Sequence, residues 1–247
     1  MKHPHQLADV LCLSNLERHM VSIKGGEFLM GGERYDNEQP IHKVKLDDYE
    51  LCRYPVSQQL WLDVMEAYPE ELYFQNPHRP VEDVSWDDIQ TNFLPALREK
   101  TRDNSWCLPT EAQWEYAARG GNYARAYTYA GSEQLKEVGW YDDNSLSETS
   151  PIAYKRPNSL GLYDMSGNVF EWCQDKYDSS YYQTLKDQYG NQPAANPGGP
   201  KAGSSRVVRG GSWDDDPASA RVSNRDVGTP YYRYIVVGFR LCRYSAR

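Results

Sequence analysis

The sequence predicts an α+β domain of short strands, few helices and long ordered loops. Three observations carry this. Short apolar or alternating runs end at glycines, as strands do. Ser57, Ser85 and Thr110 stand where they would cap short helices. The stretches between are rich in Tyr, Ser and Asn, and the whole chain of 247 residues holds 20 Tyr and 7 Trp, a composition of ordered globules.

In order, residues 1–20 predict a short helix with Leu11, Leu13 and Leu16 available to pack. Met20 to Ile23 alternates as a strand and turns at Gly25-Gly26. Phe28-Leu29-Met30 follows as a strand ended by Gly31-Gly32. Glu33 to Pro40 is polar and loop-like. His42 to Leu46 alternates as a half-exposed strand, and Tyr49 to Tyr54 continues extended. Ser57 caps a helix over about 58–66 with Leu60, Trp61, Val64 and Met65 on its core side. Ser85 caps a second, with Ile89, Phe93, Leu94 and Leu97 as its buried stripe and a kink at Pro95. Thr110 and Gln113 have capping-box spacing, and Gly120 reads as that helix's C-cap. Asn122 to Pro157 is ordered loop held by Trp140 and Tyr141. Asn158 to Trp172 is a glycine-hinged turn feeding a strand, and 178–205 is a long loop.

The rest of the chain is organised around Arg206 to Arg243. Apolar strands at 206–213 and 237–242 bound an irregular segment holding the acidic triplet Asp214 to Asp216 and a crowd of bulky residues, Tyr231 to Val236. This is how a binding surface is mounted on a scaffold. It is equally how a loop covers a core, and composition leaves both readings open.

The net charge of −8 argues against a nucleic-acid backbone as partner. No apolar run is long enough to span a membrane. The N-terminal stretch lacks the apolar run of a signal peptide, so export would need a signal beyond this sequence. The five cysteines are widely spaced, beside apolar neighbours, and read as free thiols acting as small hydrophobes. There is no nucleophile elbow, phosphate loop or dinucleotide fingerprint. Asp164, Asn168 and Glu171 offer oxygens to one hard cation such as calcium, or bonds to their own backbone, and both readings stand.

A run of motifs in order resembles the sulfatase-modifying-factor domain, the family of the formylglycine-generating enzyme. They include Gly25 to Gly31, Pro80 to Trp86, Leu108 to Ala117, Leu160 to Trp172, Arg209-Gly210-Gly211-Ser212-Trp213 and Gly238-Phe239-Arg240. The resemblance implies a C-type lectin-like fold of the formylglycine-generating enzyme type, with little regular secondary structure and long loops. It implies one domain over 20–247 after an extension at 1–19, with its binding region at 206–243. It does not carry the oxidase activity: the enzyme's copper-binding cysteine pair follows the Gly-Gly-Ser motif, and Ser212 to Arg221 contains no cysteine. No cofactor is required on this reading. Structural calcium, where bound, would sit on Asp164 and Glu171 with backbone oxygens of Gly167 and Val169, although Asp164 stands where the enzyme has Asn.

The same region is similar to the variable proteins of diversity-generating retroelements, which often use this domain. Randomised adenines in Asn codons cannot produce Gln, Glu, Lys, Met or Trp, and Asp214 to Val236 contains none of these. The resemblance implies a non-catalytic, receptor-like protein that binds a protein or other macromolecule. Its contacts are expected at Asp214, Asp215, Asp216, Ser219, Val222, Asp226, Val227, Gly228, Tyr231, Tyr232, Tyr234, Ile235 and Val236. Arg221, Arg225 and Arg233 would pin the loop backbone. The alternatives are an oxidase of the modifying-factor type or its inactive paralogue, and a structural module of a larger complex.

Overall fold

Period-two burial builds the sheets. In the third strand His42, Val44 and Leu46 are buried while Lys43 and Lys45 face out. The computed structural model describes residues 10–244. Its strands in chain order are β1 (Met20–Ile23), β2 (Gly26–Met30), β3 (His42–Leu46), β4 (Tyr49–Cys52), β5 (Trp106–Cys107), β6 (Phe170–Lys176), β7 (Ala194–Ala195), β8 (Arg206–Arg209), β9 (Asp226–Gly228), β10 (Val237–Phe239) and β11 (Cys242–Tyr244). They form sheets of order β1-β4-β11-β5, β10-β6-β8-β9 and β2-β3-β7.

The central strand of the second sheet is β6. Its first four residues, Phe170 to Cys173, are all buried, as a strand covered on both faces must be. It takes β10 in parallel, with Val237 opposite Phe170, and β8 antiparallel, with Arg209 opposite Glu171. The two strands expected to frame the binding segment therefore do not pair with each other; each flanks β6. The first ends at Arg209 because Gly210 and Gly211 take φ of 106° and 73°. The second divides into β10 and β11 at Arg240-Leu241, and β11 pairs with β4 and β5.

Local capping chemistry sets the helices. In α1 (Gln58–Met65) the Ser57 hydroxyl accepts from Leu60 N–H at 3.0 Å. Ser85 and Asp88 form a reciprocal capping box on α2 (Trp86–Asp88). A π-helical turn, Ile89–Phe93, leads from it into α3 (Leu94–Thr101). That turn replaces the expected kink: Pro95 has no N–H and its ring crowds the preceding turn, which widens. Thr110 and Gln113 cap α4 (Glu111–Arg119), and Gly120 closes it at φ 100°.

Three stretches differ from expectation. The N-terminal helix is a 3-10 turn, Leu13–His19, that buries Leu16, and its first nine residues lie outside the described range. The expected loop 122–157 contains α5 (Leu135–Val138), which buries Leu135 and Val138. The expected loop 178–205 contains α6 (Tyr181–Tyr189) and β7; α6 inserts Tyr182 and Leu185, one turn apart, into the molecule.

Aromatic rings fill the core. Trp61 stacks on Phe93 at 5.1 Å between centroids, and Phe93 meets Phe239 edge-on at 5.0 Å. A second cluster gathers Trp114, Tyr116, Tyr49 and Tyr182. Cys52, Cys173 and Cys242 are buried and Cys12 and Cys107 half-buried, all with free thiols. Among the described residues no helix is long and apolar enough to cross a membrane.

Candidate ligand-binding surface

The segment after Arg209 is fastened from beneath by arginines. Arg209 is fully buried; it pairs with Glu115 and Glu111 of α4 and donates to Val222 O at 2.8 Å. Arg221 pairs with buried Glu38 and donates to Ala218 O at 2.9 Å. Arg225 grips Glu111 with Nε at 2.7 Å and one Nη at 2.9 Å, and reaches Asn37 O at 2.8 Å. Burial works against the charge of Arg225, and Glu111 more than offsets it, so its affinity for its proton is raised. Arg221 and Arg225 thus act as the expected pins. Their partners are not legible: Glu38 lies in the stretch that reads as polar and loop-like, and nothing nearby in sequence marks it as buried.

Arg233 lies at the surface and is held by both oxygens of Asp88, at 2.8 and 3.0 Å. Asp88 therefore does two things, capping α2 and fixing the tyrosine segment.

The expected contact residues divide by exposure. Tyr231 is 73% and Tyr232 58% exposed. Asp214, Asp216, Val227 and Ile235 are also exposed, and Asp215, Ser219, Asp226, Tyr234 and Val236 are half-buried. Two expectations are corrected. Val222 packs in the core with Trp114 and Tyr182. Gly228 lies against Trp172, where an added Cβ would sit 2.2 Å from the indole ring. Both are buried: Val222 is 3% exposed, and the pairing of β9 with β8 sets Gly228 against the sheet while leaving Val227 exposed.

Tyr234 has two roles. Its ring packs toward Trp172 at 6.2 Å and beside Tyr232 at 4.9 Å, and its hydroxyl accepts from Thr229 N–H at 3.2 Å. It supports Tyr232 as much as it presents itself. The acidic triplet mostly organises its own turn: the Ser212 hydroxyl donates to Asp215, and Asp216 accepts from Ala218 N–H at 2.8 Å. Trp213 joins the two ends of the segment, donating its indole N–H to Ile235 O at 3.2 Å.

Of the expected calcium ligands, Glu171 is fully engaged by other side chains, while the Oδ1 of Asp164 is buried without a hydrogen-bond partner. Both oxygens of Glu171 accept from Arg240, at 2.6 to 3.1 Å, and one also accepts from the Trp114 indole at 2.7 Å. The Arg240 guanidinium supplies the counter-charge of Glu171. Asp164 accepts from Ala153 N–H at 2.8 Å. Among the described residues no three His, Cys, Asp or Glu side chains are placed to hold a metal.

Burial raises several carboxyls, Asp83, Asp215 and Asp226 among them, and three of them furthest: Asp164 to about 6, Glu82 to about 7 and Asp175 to about 8. Their ordinary values are 3.8 and 4.5. The folded chain holds these protons more tightly than the unfolded chain, so stability falls as pH rises through 6 to 8. The urea midpoint is expected to drop between pH 5 and pH 8.5, and Asp175→Asn to flatten the drop. A midpoint that rises over that interval would refute this account.

A family model for the sulfatase-modifying factor enzyme 1-like domain matches residues 12–245. Variable protein 1 of Treponema denticola superposes with a TM-score of 0.79 and 29% identity, covering 91% of this chain and 94% of that one. PvdO of Pseudomonas aeruginosa superposes with a TM-score of 0.75 and 25% identity, over 91% and 94%. The formylglycine-generating enzyme of Streptomyces coelicolor is 30% identical over 294 aligned positions, covering 90% of this chain and 88% of the enzyme.

Proposed function

This chain belongs to the sulfatase-modifying factor enzyme 1-like family and has its C-type lectin-like fold, and from that premise we propose that it is a non-catalytic ligand-binding protein whose segment 214–236 is diversified by a retroelement. The observation that carries the reading is the contrast within one segment. Arg209, Arg221 and Arg225 are buried and fixed to carboxylates, while Tyr231 and Tyr232 stand exposed. Rigid aromatics on a pinned loop supply contact area at little entropic cost, as in antibody paratopes. Aspartate and serine around them adapt to polar partners. The likeness to a variable protein supports the reading further. The ligand on this account is a protein, and no cofactor is needed.

Sequencing the DNA beside the gene tests it. A near-copy of the stretch encoding 206–243, differing at adenines and accompanied by a reverse transcriptase, is the expected finding. The differences should fall on the codons of exposed residues such as Tyr231, Tyr232 and Ile235 and spare Arg209, Arg221 and Arg225. No such copy, or differences spread evenly over all bases, would remove the diversification reading.

The identity to a formylglycine-generating enzyme favours one second reading, an oxidase of that type. It would have to work without a thiolate in Ser212 to Arg221 to hold a soft cuprous ion. Oxygen uptake on cysteine-containing peptides in the presence of copper would reinstate it.

A further inference from the structure

Beside the tyrosine segment lies a cleft of about 190 Å³ between the end of α1 and the start of the π-helical turn. We propose that this cleft is a subsite for one cationic side chain, lysine or arginine, of a protein ligand seated on the tyrosine surface. The proposal rests on the binding reading above and adds the chemistry of the ligand.

Size comes first. Pockets for drug-sized ligands run to roughly 300–1,000 Å³; this cleft suits a single side chain. Its lining is divided by chemistry. Trp61, Met65 and Val84 make an apolar part, and Glu70, Asp83, Asp88 and Arg233 supply charge. Arg233 holds Asp88 through two hydrogen bonds and offsets its charge. Glu70 and Asp83 remain; burial raises the Asp83 carboxyl, and a cation beside it would favour its charged form.

Asp83 decides the case. It is only 4% exposed, and its Oδ2 is buried with no hydrogen-bond partner. A buried carboxylate oxygen without a donor is costly, and the ligand that relieves it must bring one. Divalent metal is the rival occupant of any acidic cleft, but among the described residues no three such side chains converge on a metal position. An alkyl cation fits the divided lining. Its stem lies on the apolar part, its head meets Asp83 and Glu70, and the Trp61 ring is at hand for a cation–π contact.

The cleft is joined to the tyrosine segment by main-chain bonds. Asp83 N–H donates to Tyr234 O at 3.1 Å, and Asp87 N–H to Pro230 O at 3.0 Å. A partner resting on Tyr231 and Tyr232 therefore has a fixed acidic socket next to it, whose acidic and apolar lining comes from scaffold residues outside the segment 214–236, with Arg233 its one lining residue from within. Such a socket would select basic partners whatever the segment displays.

The test is a nuclear magnetic resonance titration with Nα-acetyl-lysine methylamide and Nα-acetyl-arginine methylamide, with the uncharged Nα-acetyl-norleucine methylamide as control. The signals to follow are the Trp61 indole and the Asn92 side-chain amide, both at the cleft. At least one cation should shift them saturably and at least tenfold more tightly than norleucine. Asp83→Asn should weaken that binding at least tenfold. The variant should fold, because Asp83 sits at φ 58°, a left-handed conformation that Asn tolerates well; an unchanged melting temperature checks this. Should that variant not fold, Glu70→Gln at the exposed rim reads the same loss, at threefold or more. Equal binding of norleucine, or cation binding unaffected by both substitutions, overturns the proposal. Tyr231→Ala with Tyr232→Ala should leave the titration unchanged, since neither lines the cleft. Failure of the cleft is thus distinguishable from failure of the tyrosine surface.

Discussion

Glu111→Ala is expected to destabilise the protein by about 3–5 kcal/mol, the range for removing one partner of a buried ion pair. The position is unusually exposed to this loss because one carboxylate serves two buried guanidiniums. Arg225 holds it at 2.7 and 2.9 Å and Arg209 at 3.3 Å, and the Tyr182 hydroxyl adds a contact at 3.3 Å. Arg209 keeps Glu115. Arg225 keeps main-chain carbonyls of Asn37 and Asp178 and the rings of Tyr182 and Tyr177, none of which carries a balancing charge. The measurement is a urea denaturation curve, read as a lower midpoint at unchanged slope. Adding Arg225→Met should recover part of the loss, because the orphaned charge leaves with its partner. A single variant that melts like the parent would mean that Arg225 finds water or another carboxylate, and that the segment is not pinned as described.

Trp172→Ala should cost a similar amount, about 3–5 kcal/mol for a large buried aromatic, and should also reach the surface. Trp172 is fully buried on β6, with its indole N–H on Val84 O at 3.0 Å. One side of the ring receives Gly228 of β9, and Tyr234 packs toward it. Removing the ring leaves β9 and Tyr234 without a floor. Amide exchange at Asp226 to Gly228 is then expected to accelerate beyond what the global loss of stability explains. Exchange there that follows only the global change would show that the tyrosine segment does not stand on this tryptophan.

What was legible in the sequence was mostly local. Ser57, Ser85 and Thr110 announce their helices because cap and capped N–H lie within three residues of each other. The alternation of His42 to Leu46 announces β3 because a strand's two faces alternate along it. α6 was missed because only Tyr182 and Leu185 of its nine residues are buried, too few to set a helical period against Gly and Pro nearby. The same limit applies to the binding segment. Its exposed tyrosines are evident as composition, but Val222 is core because it joins the cluster of Trp114 and Tyr182, and Gly228 because β9 pairs with β8 beside Trp172. Glu38 meets Arg221 across nearly the whole domain, a pairing that no local pattern encodes. Tertiary partners decided each of these positions.

The placement of β8 and β10 on either side of β6 has a consequence for how this protein can change over generations. The chain between them leaves one flank of a strand and returns to the other, so its ends are held two strand spacings apart, about 10 Å, whatever residues it contains. The closure cost of such a span grows only with the logarithm of its length, and doubling it adds about 0.6 kcal/mol. The segment behaves as an exchangeable cassette. Its exposed side chains can be rewritten while the sheet that receives it keeps its register, provided that the arginines that clasp it and the buried positions Val222 and Gly228 are carried along.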